Sequence, residues 1–185
     1  MKCALHIHTN FSDGFHSPEQ MVNAYQERGF KCLAITDHQF LLPPNYFRYL
    51  ERLSLNLKKQ GIILLVGVER EYSPWQGQHL LEIRGNEETL YVLCHPRAYL
   101  LSPEEVMERI RSSPIRIDAV EITYRGIYTP EYDTAQIPLP KIATDDAHET
   151  YEVGQAWIET DDFQNPDQLI QAVRKGEFEV RFASR

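Results

Sequence analysis

Short apolar runs that lead into a histidine or an acidic residue recur along this chain, and they constrain its fold more than any other feature. Leu33-Ala34-Ile35 leads into Thr36-Asp37-His38. Leu64-Leu65-Val66 leads towards Glu69 in the same way. Runs of this length and composition are typical of buried strands, so the polar residues would lie where strands emerge into loops. The sequence therefore predicts side chains that converge at one edge of a buried sheet.

Nine side chains, most of them in such positions, are candidate metal ligands, and they include six of the seven histidines: His6, His8, Asp13, His38, Glu69, His79, His95, Asp146 and His148. In a strand, side chains alternate with period two, so a His-x-His sequence directs both imidazoles to one face and allows two ligands to one ion. A buried carboxylate after an apolar strand needs a cation or hydrogen bonds, and a metal ion would satisfy Glu69.

Each of these assignments has an ordinary structural alternative. His6 and His8 taken alone are equally consistent with exposed or core histidines, and Asp13 before Gly14 with a turn residue. His79 begins an apolar run instead of ending one, and the alternative for it is a surface or strand-entry histidine. His95 precedes Pro96, which favours an extended conformation at a strand end, and the alternative for it is a core histidine with its hydrogen bonds satisfied.

The rest of the chain alternates predicted helices and strands. Three helices begin at a Ser or Asn followed by Pro and, at the third helical position, Gln or Glu, which indicates capping boxes and helices over 18–29, 103–112 and 166–175. A fourth, after Pro43-Pro44 and up to Gly61, places Phe47, Leu50, Leu53 and Leu57 on one face. Strands are predicted over 3–7, 32–36, 62–68, 80–83, 91–94, 119–123, 142–144 and 156–159.

This order favours an α/β fold, a single domain over 1–185 in which a parallel sheet closes into a compact, irregular barrel. Residues 85–88 are too few for a helical crossover and predict a hairpin, whereas residues 124–140 are predicted to form a loop over the site.

The net charge of -8 and the pI near 5.4 argue against broad adhesion to nucleic acid or to an anionic membrane. Cys3, Cys32 and Cys94 are widely spaced and lack a Cys-x-x-Cys pair, so neither a disulfide framework nor a thiolate zinc site is expected. The residues before His6 leave no room for a signal sequence, and the most apolar stretch is too short to span a bilayer. The expected location is the cytoplasm.

Five motifs in order resemble the PHP family, the phosphoesterase domain named for polymerases and histidinol phosphatase. The motifs are His6-Ile7-His8 with Ser12-Asp13-Gly14, Ile35-Thr36-Asp37-His38, Gly67-Val68-Glu69, Cys94-His95-Pro96, and Asp145-Asp146-Ala147-His148 followed by Gly154. The resemblance covers essentially the whole chain. It implies a distorted (β/α)7 TIM-like barrel of the PHP type, with up to three divalent ions at the C-terminal ends of the strands.

The resemblance also implies how the ligands are shared. A first ion would be held by His6, His8, Glu69 and Asp146, a second by Glu69, His79 and His95, and a third by Asp13, His38 and His148. Imidazole and carboxylate ligands suit zinc, manganese or iron, and the choice among them stays open.

Neighbouring polar residues have more than one interpretation. Strand alternation puts Asp146 with His148 and Asp145 on the opposite side, so Asp146 is the expected ligand and Asp145 the alternative. Asp37 is expected to orient His38 or to cap the next segment. Glu121 would support a ligand or be an ordinary strand residue.

Residues that would hold a phosphate are less strongly indicated. Arg97 and Arg125 are the candidates for bidentate contacts with phosphate, and ordinary surface arginines are the alternative for both. Cys94 is expected to face away from His95, into the core. Tyr124, Tyr128 and Tyr132 would stack nucleic-acid bases over the site or simply pack a loop.

The expected reaction is hydrolysis of a phosphomonoester, a small phosphorylated metabolite or a nucleotide, by a metal-activated hydroxide. Catalytic roles are expected for Asp146, Glu69 and His148, with the leaving oxygen protonated by a site histidine or by metal-bound water. A 5′-end nuclease acting on short oligonucleotides is the first alternative, and a non-catalytic metal-binding regulatory module is the second. Amidohydrolase-like cleavage of a C–N bond is less favoured, because no position for a carboxylated lysine is evident.

Overall fold

The structure is a computed structural model, and it describes residues 1–75 and 77–184. Its strands are β1 (Lys2–Ile7), β2 (Cys32–Ile35), β3 (Ile63–Glu71), β4 (His79–Arg84), β5 (Thr89–Leu93), β6 (Ala119–Glu121), β7 (Thr123–Tyr124), β8 (Ile127–Tyr128), β9 (Lys141–Ile142), β10 (Ala156–Glu159) and β11 (Glu179–Phe182). Its α-helices are α1 (Pro18–Glu27), α2 (Tyr46–Lys58), α3 (Pro103–Ser112) and α4 (Pro166–Lys175). Among the described residues, no helix is both long enough and apolar enough to cross a membrane.

The helix starts follow the capping chemistry expected from the sequence. Ser17, Ser102 and Asn165 each accept a backbone amide through the side chain, and a Gln or Glu three residues later bonds back to the cap. Reciprocal bonds of this kind satisfy amides that lack partners within the helix. The ranges of α3 and α4 match the prediction, whereas α1 ends at Glu27, two residues early.

The principal sheet has the strand order β11-β10-β1-β2-β3-β4-β5-β6-β9 within the described residues. Pairs β1–β2, β2–β3, β5–β6 and β6–β9 are parallel. Pairs β3–β4, β4–β5, β1–β10 and β10–β11 are antiparallel. The predicted hairpin at 85–88 joins β4 to β5, since so short a connection permits only an antiparallel return.

The sheet curves until its two ends nearly meet. Beyond β9, Ala147 bridges to Ile7 at the end of β1, and the His8 amide donates to the Ala147 carbonyl at 2.9 Å. This contact brings the segment after β9 against β1. The predicted α/β class and distorted TIM-like barrel are confirmed, but the sheet is mixed, not parallel as predicted, because β4, β10 and β11 run antiparallel to their neighbours.

Apolar side chains fill the barrel and cover it. Cys3, Cys32, Leu65, Leu81 and Val92 belong to an interior cluster that also includes residues of α4. A second cluster packs α1 and α2 against the outer face of β1–β3, and a third packs α3 against β4–β6. The cysteines are buried and free, as expected.

Two regions contain strands that the sequence did not predict. Residues 124–140, expected to be a loop, contain the hairpin of β7 and β8 and a short 3-10 turn over Pro130–Tyr132. Strand β11 was missed, because its alternating sequence Glu179-Val180-Arg181-Phe182 is short and mostly exposed. It is an edge strand that pairs with β10.

Asp167 of α4 fixes the β4–β5 turn, and its loss is expected to destabilise the fold. Its carboxylate accepts the amides of Asn86 at 2.9 Å and of Glu87 and Glu88 at 3.2 Å. Asp167→Ala would leave these donors without their partner and lower the free energy of unfolding by about 1–3 kcal/mol. Urea denaturation checks this, with Asp161→Ala at an exposed position as the matched control. Equal stability of the two variants would contradict the anchoring role.

Candidate metal centre

The candidate ligands come from different elements but meet at one rim of the barrel. Those at or after the ends of parallel strands are His6, His8, His38, Glu69, His95, Asp146 and His148, while Asp13 lies in the β1–α1 connection and His79 begins β4. Subsets of these residues offer ligand atoms that all lie within 4.8 Å of one another. The carboxyl ends of parallel strands share an edge, which explains most of this convergence.

His79 reaches the rim because its strand is antiparallel to β3. Strand β4 is antiparallel to β3, and Glu71 at the end of β3 pairs with His79 at the start of β4. The first residue of an antiparallel strand lies beside the last residue of its neighbour. Its position at the start of an apolar run is therefore compatible with a place in the site.

A shift in strand pairing directs His6 and His8 into the barrel. The β1–β2 register shifts between Ala4 and Ile7, and both of these residues pack in the outer cluster although they are three positions apart. Unbroken alternation from Leu5, which faces the interior, would have turned His6 and His8 outward. The irregularity changes the phase of the strand, as bulges beside functional sites commonly do.

Left-handed backbone conformations direct two other candidates. His95 has φ 21° and Asp146 has φ 50°, so the extended conformation predicted for His95 before Pro96 is wrong. Leu93 packs in the third cluster, outside the barrel against α3, and regular alternation would have directed His95 to that same outer side. The unusual backbone turns its ring inward at a typical cost of about 1–3 kcal/mol.

Glu69 lies at the centre of the site, and its carboxylate is buried. Among the described residues it faces five imidazoles. Oε2 lies 3.5 Å from His6 Nε2, 3.3 Å from His8 Nε2 and 3.1 Å from His38 Nδ1. Oε1 lies 2.8 Å from His79 Nδ1 and 2.9 Å from His95 Nε2. The two oxygens thus face different groups of histidines.

The spacing of the donors fits divalent metal ions. His6 Nε2 and His8 Nε2 are 3.1 Å apart, and each lies 3.3–3.6 Å from Glu69 Oε2 and Asp146 Oδ1. A tetrahedral ion with bonds of about 2.0–2.2 Å separates its ligand atoms by about 3.3–3.6 Å. Asp13 Oδ2 lies 3.5 Å from His38 Nε2, within this range, and 3.2 Å from His148 Nε2, which, like the 3.1 Å between His6 and His8, is slightly below it. The Glu69–His79–His95 distances are shorter and match hydrogen bonds.

The acids and the imidazoles of the site stabilise each other's charged forms because they lie close together. Burial lowers the pKa of His6, but the carboxylates of Glu121, Asp146 and Glu69 outweigh burial and raise this pKa to about 10. Burial raises the pKa of Asp146, yet His6 and His8 bring it down to about 2. The same histidines hold the pKa of Glu69 well below its ordinary value, against the effect of burial. Protons on imidazoles therefore balance the acids, and a bound cation would displace them.

Ring nitrogens without hydrogen bonds support the same conclusion. His8 Nδ1 and His38 Nδ1 are buried and make no hydrogen bond of good geometry within the described part of the chain, although Asp13 Oδ1 lies 3.4 Å from the first and Glu69 Oε2 lies 3.1 Å from the second. Buried polar atoms are nearly always satisfied in folded proteins, so an ion between each nitrogen and its carboxylate would supply the partner that the geometry lacks.

Asp37 has a different role from the one predicted. Its carboxylate accepts the amide and hydroxyl of Thr9 at 2.7 and 2.8 Å and the Ser12 hydroxyl at 2.7 Å. These bonds hold the β1–α1 connection that carries Asp13, instead of orienting His38. Asp37 thereby supports a different ligand candidate.

Asp145 and Asp146 face in different directions. Asp145 accepts the amides of Gly154, Gln155 and Ala156 at 2.7 Å and the Tyr25 hydroxyl at 2.9 Å. It therefore anchors the start of β10. Asp146 faces the histidines, and of the two aspartates it is the one placed to bind an ion.

Glu121 and Cys94 lie beneath the ligand candidates. Glu121 is fully buried and accepts His6 Nδ1 and the His95 amide, each at 2.8 Å. Cys94 is buried in the core as expected, but its sulfur also lies within 4.8 Å of ligand atoms of His6, Glu69 and His95, since both Cys94 and His95 face the barrel interior. Strand alternation alone had placed Cys94 and His95 on opposite faces.

The two predicted arginines differ in their relation to the site. Arg125 lies in the tight β7–β8 turn, and its Nη1 is 2.8 Å from His148 Nδ1. Arg97 donates instead to Glu131 at 2.8 Å and is largely exposed. Arg125 is thus the arginine in direct contact with a ligand candidate.

Aromatic side chains border one wall of the site. Tyr99, which the sequence reasoning missed, stacks on His95 with ring centres 5.9 Å apart, and Tyr124 lies 6.1 Å from the same ring. Tyr132 is buried with its hydroxyl on the Leu101 carbonyl, and Tyr128 bonds to Asp133 and packs against Phe182. Base stacking over the site is therefore wrong for Tyr132, and Tyr128 packs its loop.

Comparison with known proteins identifies the family. The family model described as PHP domain matches residues 4–121, and the model described as PHP-associated matches residues 135–178. No curated protein sequence matches the chain.

Solved structures share the fold at low identity. A two-domain protein from Bacteroides vulgatus, said to contain a predicted PHP-like metal-dependent phosphoesterase, has a TM-score of 0.73 and 18% identity over 98% of this chain. The chain spans 64% of that protein. PsfC from Pseudomonas syringae has a TM-score of 0.71 and 12% identity, covering 99% of this chain and 91% of PsfC.

A Bifidobacterium adolescentis protein, provisionally described as a metal-dependent phosphoesterase, has a TM-score of 0.59 and 15% identity, covering 78% of this chain and 87% of its own. Such identities show a common fold. The PHP domain model matches more than half of the sequence, and the chain therefore belongs to the PHP domain family.

Proposed function

We propose that this protein hydrolyses a phosphomonoester, either a small phosphorylated metabolite or a nucleotide, in a metal-dependent reaction. The observation that carries this proposal is the position of Glu69. One of its oxygens faces His6, His8 and His38, and the other faces His79 and His95. A carboxylate whose two oxygens face different groups of histidines is suited to bridge two ions, the arrangement used by two-metal hydrolases.

We propose the ligand assignment that the family resemblance implies, although the closest groups in the structure place His79 with His38 and Glu69, and His95 with His6 and Glu69. His6, His8, Glu69 and Asp146 would hold the first ion, Glu69, His79 and His95 the second, and Asp13, His38 and His148 the third. Zinc, manganese and iron are all compatible with imidazole and carboxylate donors. When bound, such ions supply Lewis acidity that acidifies water and offsets charge on phosphoryl oxygens.

The chain's own groups would bind and orient the reactants. Asp146 remains ionised at neutral pH, since its pKa is about 2, and would orient the attacking water. Arg125 would donate to the phosphoryl oxygens from its position beside His148. Arg97 would contribute only after it leaves Glu131.

His148 would act by positioning. Its Nε2 faces Asp13, and its Nδ1 lies 3.0 Å from the Asp146 carbonyl, to which it would donate while Nε2 binds an ion. With Nδ1–H so engaged, Arg125 Nη1 loses its acceptor and becomes available to the substrate. His148 would then have no free proton for the leaving oxygen, and the donor would be another site histidine or water.

A 5′-end nuclease acting on short oligonucleotides is the second candidate. Tyr124 favours it, because this side chain is 41% exposed and lies beside His95, where a base could stack. The net charge of -8 favours the smaller substrate.

A phosphatase panel tests the reaction directly. Protein loaded with zinc, manganese or iron is expected to release phosphate from mononucleotides or sugar phosphates, and Asp146→Asn is expected to lower kcat at least about 100-fold. Short 5′-phosphorylated oligonucleotides are assayed in parallel. Hydrolysis confined to oligonucleotides would favour the nuclease, and no hydrolysis with any of the three metals would contradict the proposal.

Glu69→Gln is expected to weaken two ion sites at once, because one carboxylate is shared between them. Elemental analysis after dialysis against a fixed free-metal concentration measures the loss. Glu71→Gln, an exposed position on the same strand, is the matched control and should retain wild-type metal content. Full occupancy in Glu69→Gln would rule out bridging.

The same substitution is expected to change different properties at the two adjacent aspartates. Asp145→Asn presents an amide to three backbone donors and should lower the unfolding free energy of the metal-free protein by about 1–3 kcal/mol. Asp146→Asn should instead reduce metal affinity. Denaturation in a chelator and metal titration of both variants separate these effects; the reverse pattern would exchange the two roles.

A further inference from the structure

Glu121 occupies a position beneath the site where it contacts more than one ligand candidate. It ends β6 and is fully buried. Oε1 accepts His6 Nδ1 and the Thr144 hydroxyl, and Oε2 accepts the His95 amide, each at 2.8 Å. The two oxygens thus serve residues assigned to two different ions.

The bond to His6 determines which ring nitrogen can bind metal. A neutral imidazole carries one proton, and a carboxylate at Nδ1 favours its placement there. The lone pair is then on Nε2. That atom lies 3.1 Å from His8 Nε2, 3.5 Å from Glu69 Oε2 and 3.6 Å from Asp146 Oδ1.

The bond to His95 supports its backbone. A non-glycine residue with φ 21° is strained, and such a conformation persists only where surrounding contacts hold it. The carboxylate of Glu121 holds the amide of this residue. In that conformation His95 Nε2 lies 2.9 Å from Glu69 Oε1.

We propose that Glu121 is a positioning residue that links the first and second ion sites. Through Oε1 it keeps His6 in the tautomer that binds the first ion, and through Oε2 it keeps the His95 ring directed at the second. Thr144 fixes the orientation of the carboxylate. This inference rests on the proposed function for the assignment of ligands to ions.

Glu121→Gln tests the link, because an amide has one acceptor oxygen and cannot accept all three donors. Zinc titration against a chromophoric chelator is expected to show two sites weakened by about 10–100-fold, the usual effect of losing a group that orients a ligand. Sites are assigned by repeating the titration in His79→Ala, which marks the second, and in Asp13→Ala, which marks the third. The third site is expected to be unchanged by Glu121→Gln.

Asp118→Asn is the matched control. Asp118 is a buried acid just before the start of the same strand, where it bonds to Arg174 at 2.9 Å. Its substitution is expected to lower stability but to leave zinc affinity at all sites as in wild type. Wild-type affinity in Glu121→Gln, or loss confined to one site, would overturn the proposal.

Nitrogen-15 NMR of the imidazoles in zinc-loaded wild-type protein gives a second measurement that does not depend on whether the variant folds. His6 is expected to carry its proton on Nδ1, and a proton-free Nδ1 would overturn the proposal. Neither measurement involves hydrolysis. A protein that binds zinc as expected but cleaves no phosphoester would refute the proposed function and leave the role of Glu121 intact.

Discussion

The buried carboxylate of Glu69 must be neutralised where it lies, because a desolvated and unpaired charge would cost several kcal/mol. The barrel meets this requirement by directing imidazoles from β1, β4 and the ends of β2 and β5 at its two oxygens. Protonated histidines would do so in the absence of metal, and divalent ions would do so more completely. The rim of the barrel is organised around this one charge.

Strand geometry alone does not achieve that arrangement. Regular alternation would turn His6, His8 and His95 away from Glu69, and the structure instead has a register shift in β1 and a positive φ at His95. Both irregularities have an energetic cost that packing and hydrogen bonds elsewhere offset. The ligand atoms are therefore already directed at one another, and ion binding would require little rearrangement of the backbone.

The sequence predicted most helices and strands of the barrel, because capping residues and apolar runs are local signals. Proline after a capping residue located α3 and α4, and apolar runs located β1, β2 and β3. The direction of individual side chains was less predictable. The phase change in β1 occurs in its pairing with β2, and the amide of the left-handed His95 donates to Glu121, which is 26 residues further along the chain. Asp37 shows the same limit, since its partners Thr9 and Ser12 belong to another connection.

Strand β4 contributes to the rim through its first residue, whereas the parallel strands contribute through their ends. The register between β3 and β4, in which Glu71 pairs with His79, thus sets where His79 lies relative to Glu69. A two-residue slip of this register would move His79 by about 7 Å along the strand while leaving the parallel strands unchanged. The number of ions that the rim can hold would therefore depend on one antiparallel pairing.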